Sequence, residues 1–283
     1  MFIIFILYFH NVAEEQSKDS NVKSTIEAVT GLVKAVPLYD DAIQPAAKQV
    51  GKSLETLSKA INIALLPVSG LVWGYEKIDA WLTARLAQKL NHVSISKIVS
   101  PFPQIAGPSL EALRFIAHDD TLRELFANLL ATSMDSSIMH LAHPSYVEIL
   151  KNLCTDEAII LKLFIVEDMF PTIDLIGKSQ NSEGGYVYYS NFTVFHRDIN
   201  ISRIDLIPSY IDNLCRLGLI ELSKSIIVDD TEEYEDLIGD NYLEPFKAQI
   251  IEAGLQIGMT HSAVVVTTFG RQFVDNVVRD KPE

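Results

Sequence analysis

The sequence predicts a mainly α-helical protein in two parts: a helical domain over 21–153, then an α+β winged-helix-like domain over 154–283. Two observations predict this. Up to about residue 153, apolar side chains recur at three- and four-residue steps, the repeat of one helix face. After Cys154, runs rich in β-branched and aromatic residues appear at 172–178, 186–195, 219–228 and 262–268, as strands prefer. A chain of 283 residues that is 48% apolar has material for one large or two modest cores.

Met1–Phe9, MFIIFILYF, is almost wholly apolar, and a polar linker follows to Ser20. The segment lacks the basic start and small-residue cleavage site of a signal peptide. It is also far short of the ~20 residues that cross a bilayer as a helix. An early start codon is the favoured reading, with a short anchor or a packed helix as alternatives.

The first predicted helix begins near Asn21, carries Val22, Ile26, Val29 and Val33 on one face, and stops at Pro37. Asp40 and Asp41 offer caps for a second. Its stripe is Val50, Leu54, Leu57, Ile61 and Leu65, with Lys48, Lys52 and Lys59 off the stripe and Pro67 ending or kinking it. A third runs from about Val68 to Leu90. Three prolines and a glycine make 94–108 an extended connector. Helices follow over 110–117, over 121–133 (with Leu122, Leu125, Phe126, Leu129 and Leu130 in template register), and from Pro144 to near Leu153.

In the second part, 155–170 reads as a helix with Asp156 and Glu157 in its first turn. The runs 172–178 and 186–195, separated by SQNSEGG, form a hairpin. A helix over 208–217 is closed by Gly218. Strands at 219–228 and 262–268 flank an acidic insertion, 229–258, with an amphipathic helical core, and a last helix covers 271–278. YIDNLCRLGLIEL (210–222) has the form of a second helix running into a wing strand, and SAVVVTTFGRQFV (262–274) that of the returning strand and closing helix.

The net charge is −14, unevenly spread. Residues 21–100 hold 9 basic against 6 acidic side chains, residues 154–283 about twice as many acids as bases. The acidic half repels nucleic acid, whose binding rests on phosphate neutralisation. The helix of 208–217 offers Arg216 and Asn213 toward bases and little else, so no nucleic-acid partner is expected. The mildly basic half is the part suited to an anionic surface.

Catalytic signals are weak. His92, His118, His140 and His143 lie in a short span with Asp119 and Asp120 beside them, residue types that bind zinc. Pro144 sets His143 at a helix start and His140 in the loop before it, and no H-E-x-x-H or paired-cysteine spacing appears. Cys154 and Cys215 read as free core thiols in a reducing cytoplasm. The acid run DDTEEYED, 229–236, reads as solvated. No catalytic residue, metal or cofactor is expected, and the protein is not expected to be an enzyme.

The uncharged run Ala60–Tyr75, AINIALLPVSGLVWGY, supplies the contact candidates: Leu65, Leu66, Gly70, Leu71, Val72, Trp73, Gly74 and Tyr75. Gly70 and Gly74 have the spacing that lets helices approach closely, and Trp73 and Tyr75 suit a membrane interface. Ordinary core packing is the competing reading.

Several segments resemble the bacterial abortive-infection alpha (Abi-alpha) family: GLVKAVPLYDDAIQPAAKQVGKSLETLSKAINIALLPVSGLVWGYEKI (31–78), IAGPSLEALRFI (105–116), LRELFANLLATSMD (122–135) and AHPSYVEILKNL (142–153). YIDNLCRLGLIEL and the FGRQFV end also fit, so the resemblance runs from about Ile26 to Val278. It implies a part in bacterial defence against phage, in which infected cells stop growing or die, and it carries over no catalytic residue. The expectation is a non-enzymatic defence protein, cytoplasmic or peripheral to the inner membrane, acting through a membrane, a protein partner or self-association. The alternatives are a soluble sensor or scaffold whose winged-helix-like domain binds protein, and a cryptic hydrolase using the histidines.

Overall fold

The computed structural model describes residues 54–69, 79–116, 118–179, 184–225 and 231–280. The readings of Met1–Ser20, the helix from Asn21, Pro37, and the caps Asp40 and Asp41 lie outside these residues. The helices of the first part are α1 (Leu54–Ser69), α2 (Asp79–Lys89), α3 (Pro103–Leu113), α4 (Asp120–Met134), α5 (Ser145–Lys151) and α6 (Thr155–Leu163). Then come β1 (Met169–Lys178), β2 (Gly185–Phe192), α7 (Phe195–Asp198), α8 (Ile207–Arg216) and β3 (Ile220–Ser223). The chain closes with α9 (Thr231–Ile238), α10 (Glu244–Glu252), β4 (Gln256–Val266) and α11 (Thr268–Phe273).

Helix α4 is the centre. Every residue from Leu125 to Met134 is buried, because α2, α3, α5, α6 and the C-terminal turn all pack on it. Asp119 caps it by accepting the Leu122 N–H at 2.9 Å, and its other oxygen takes the Thr155 hydroxyl at the start of α6. Asn128 Nδ2 donates to the Val277 carbonyl at 2.9 Å, and the Thr132 hydroxyl to that of Asn276 at 2.9 Å. With those carbonyls drawn to α4, the chain leaves α11 as a π-helical turn over Val274–Val278, where the sequence predicts plain helix over 271–278. Helix α1 buries Leu57, Ile61, Ala64 and Leu65 and exposes Lys59, as its stripe predicts.

Two expected elements are corrected. Residues 103–108 belong to helix α3, not to an extended connector. Pro103 stands at the first helical position, where its missing N–H is an orphan in any case. Pro108 removes only the bond to the carbonyl of Gln104, an exposed residue that water can serve. The helix expected over 155–170 stops at Leu163, and β1 begins at Met169. Arginines from the chain's end satisfy the carbonyls left at that stop: Arg271 donates to Phe164, and Arg279 to Ile165.

The antiparallel sheet has the order β2-β1-β4-β3. β1 and β4 pair over ten residues, from Met169–Val265 to Lys178–Gln256, so β4 starts six residues before the strand predicted at 262. The β1–β2 hairpin is irregular between Ile173 and Ile176. There Asn191 takes φ 52°, a region asparagine tolerates, and its N–H is held by Asp174 Oδ1 at 2.9 Å. One face of the sheet meets the helices through Phe170, Val264 and Leu222. On the other, Ile173, Leu175 and Phe192 are covered by Tyr234, Leu237, Leu243 and Ile250 from α9 and the segment after it. The acidic insertion therefore supplies a second apolar layer for the sheet. A boundary drawn at 153/154 passes through one continuous cluster of buried side chains, from Leu57 through Phe126 and Phe164 to Val278.

Candidate functional site

The contact candidates divide at neighbouring residues. Leu65 is 1% exposed and Leu66 is 66% exposed, since successive helical residues point about 100° apart. Ile63, 46% exposed, also faces outward. The inner side of α1 is fixed where the Ser100 hydroxyl donates to the Ala64 carbonyl at 2.5 Å. Gly70, Leu71, Val72, Trp73, Gly74 and Tyr75 lie outside the described residues. Among the described residues no helix is long and apolar enough to cross a membrane.

The histidines do not converge. His92, His118, His140 and His143 are exposed. His140 sits in the tight turn Met139–Leu141, while His143 Nδ1 accepts the Ser145 N–H at 3.1 Å at the start of α5. Among the described residues no three of His, Cys, Asp and Glu are grouped to hold a metal.

The buried carboxylates Asp156 and Glu157 are fully employed. Asp156 accepts the N–H groups of Ser202 at 3.0 Å and Arg203 at 3.2 Å, and the Tyr210 hydroxyl at 3.0 Å. Burial pushes its pKa up, but these donors outweigh burial and leave it below the usual carboxylate range. Tyr210 moves the other way, raised by burial and by its bond to Asp156. Glu157 accepts the Cys154 N–H at 2.8 Å and Asn213 Nδ2 at 2.7 Å. The residues offered for base reading on α8 are tied together, with Arg216 Nε and Nη2 donating to Asn213 Oδ1 at 3.0 and 2.7 Å. Cys215 is half-buried, but Cys154 is exposed, not a core thiol. It occupies the cap position of α6, outside the helix's buried stripe. Partial shielding of its sulfur from water, then the charge of Glu157, push the thiol pKa up, away from a reactive thiolate.

A cleft of about 640 Å³ opens where the start of β1, the chain around α7 and helix α9 meet. Its apolar lining includes Phe170, Val194, Phe195 and Leu237, and its carboxylates are Glu167, Asp168, Asp198, Glu233 and Asp236. Arg271 pairs with Asp168, and Arg197 with Asp236 and Asp240. Sequence reasoning missed this site. Its acids come from three distant segments, and the one visible signal, the run 229–236, reads alone as a solvated face.

Residues 74–277 match the protein family described as abortive infection alpha. The resemblance read over 31–73 lies outside that match. No curated protein matches the chain. A solved structure of an uncharacterized protein from the hydrocarbon-degrading marine bacterium Alcanivorax borkumensis SK2 is similar at 22% identity, over 51% of this chain and 96% of that one, with a TM-score of 0.34.

Proposed function

The chain belongs to the abortive infection alpha family, and we propose that it is a non-enzymatic protein of phage defence that acts by contact, through a membrane surface or a protein partner. The observation that carries this reading is the outer face of α1. Ile63 and Leu66 are large aliphatic residues held in water, within the part of the uncharged run Ala60–Tyr75 that α1 carries. A contiguous exposed apolar patch marks an interaction surface, and under this reading Ile63 and Leu66 are the described part of one. The non-enzymatic part draws support from Asp156 and Glu157, whose oxygens are spent on structural hydrogen bonds.

Leu65 and Leu66 make a matched pair for the test. Leu65→Lys forces an unpaired charge into the core, which costs several kcal/mol against a total stability of ~5–15. Leu66→Lys changes stability by about 0.5 kcal/mol or less. The expected result is an unchanged melting temperature and lost phage protection for Leu66→Lys, and a collapsed melting temperature for Leu65→Lys. Flotation with anionic vesicles separates membrane from partner action. Full protection by a stable Ile63→Lys, Leu66→Lys double variant would overturn the reading.

A second reading, a scaffold with a winged-helix-like protein-binding part, draws on the order of α8, β3, β4 and α11. Under either reading the protein does not act on nucleic acid.

A further inference from the structure

We propose that the cleft between β1, α7 and α9 binds an alkylammonium group, either a lysine side chain of a partner protein or a free polyamine. The proposal is independent of the outer face of α1. It begins with unbalanced charge. Of the five carboxylates lining the cleft, Asp168 and Asp236 have arginine partners, while Glu167, Asp198 and Glu233 form no ion pair among the described residues. No lysine, arginine or histidine lines the cleft, so the local field favours a cation from outside.

Two further observations specify which cation. Between the acids lies an apolar surface of Phe170, Val194, Phe195 and Leu237. That surface would repel a hydrated ion but accepts a methylene chain, as lysine stems cover apolar surface elsewhere. Thr193 also lines the cleft, is only 2% exposed, and its hydroxyl forms no hydrogen bond among the described residues. An ammonium carries three donors and no acceptor, so it suits an unpartnered hydroxyl oxygen as well as the carboxylates. The carboxylates are spread around the cleft and form no metal-holding set among the described residues, which favours an elongated organic cation over a point charge. The volume of about 640 Å³ falls within the range of sites that take small organic ligands.

The test uses methyl NMR of the full chain, reading Thr193, Val194 and Leu237. Four probes are titrated: an acetylated, amidated Gly-Leu-Lys-Leu-Gly peptide, its Nε-acetyl-lysine twin, spermidine, and magnesium or calcium chloride. The expected result is saturable shifts with the lysine peptide or spermidine and none with the acetylated twin. Asp198→Asn with Glu233→Gln weakens binding by roughly fivefold, from two exposed charge pairs. Glu167→Gln, on a different segment, gives an independent weakening. Tighter binding of the peptide assigns the cleft to a partner protein, and tighter binding of spermidine to a free polyamine. Three results overturn the proposal: no shifts with either amine at millimolar concentration, equal shifts with the acetylated twin, or divalent-ion shifts as large as those of spermidine.

Discussion

At the scale of single residues, two positions hold opposite expectations. A Cβ on Gly270 would stand 1.8 Å from the Leu219 carbonyl oxygen, with the rest of that peptide group behind it. Backbone cannot swing aside as a flexible side chain can. Around the same point the Thr267 hydroxyl accepts the Gly270 N–H at 2.8 Å and donates to the Gly218 carbonyl at 2.6 Å. Gly270→Ala should therefore lose about 1–3 kcal/mol in urea denaturation. Gly107, inside α3, has nothing from beyond its chain neighbours within 4 Å of the same atom, but the ring of Pro108 crowds a Cβ on the residue before it, so Gly107→Ala should gain less than about 0.5 kcal/mol from helix propensity. Asp156 sets a pH dependence. Its folded pKa lies below the unfolded value of ~3.9, so its contribution is complete above that value and is lost as pH falls through the folded pKa. Asp156→Asn should cost about 1.5–3 kcal/mol at pH 7, and the gap from the parent should narrow toward pH 2. An equal gap at both pH values would mean that the charge itself contributes nothing.

At the scale of elements, α8 shows how neighbouring segments tie down the polar side chains of a helix. Its buried side is Ile207, Ile211 and Leu214. Asn213, which would have to reach a base edge, instead joins Glu157 on α6 to Arg216. Freeing it would break bonds that hold α6 and α8 together. Gel shifts of the full chain with duplex DNA at moderate salt should show no sequence-dependent band. A tight, sequence-selective complex weakened by Arg216→Ala would contradict this. The acidic insertion makes a related point. Helix α9 points Glu232, Glu233 and Glu235 to water, while Tyr234 and Leu237 seal the sheet. Tyr234 adds a hydrogen bond to the Ser262 carbonyl at 3.0 Å and a stacked contact with His261 at 4.4 Å.

At the scale of the whole molecule, the chain's end is built into its helical body. Val274, Val277 and Val278 are buried in the cluster that includes Leu125, Phe126 and Leu129. Beside them, Lys89, itself buried, lies 2.9 Å from Glu124 and 3.7 Å from Asp280. Cutting the chain at 153/154 would expose the surfaces that α4 now covers and strand polar groups that Asn128 and Thr132 now satisfy. Residues 154–283 expressed alone should show no cooperative thermal transition, and circular dichroism melting checks it. A sharp melt close to that of the full chain would establish an independently stable domain.

What the sequence determined by itself was periodicity and punctuation. The stripes of α1 and α4, the hairpin of β1 and β2, and the stop at Gly218 with φ 74° follow from side-chain spacing and local backbone chemistry, and all were legible. The family was legible for the same reason, because it rests on runs of contiguous residues. Tertiary structure decided what depends on distant neighbours. Pro108 is helical because the carbonyl it frees faces water, and α6 stops at Leu163 where arginines from the far end of the chain take its carbonyls. Leu65 and Leu66, nearly alike in the sequence, separate into core and surface only when α2 and α3 close over one side of α1. The cleft was the least legible feature of all. Its carboxylates are ordinary surface acids one by one, and they become a charged wall around an apolar floor only when three segments, more than sixty residues from first to last, are brought together by the sheet.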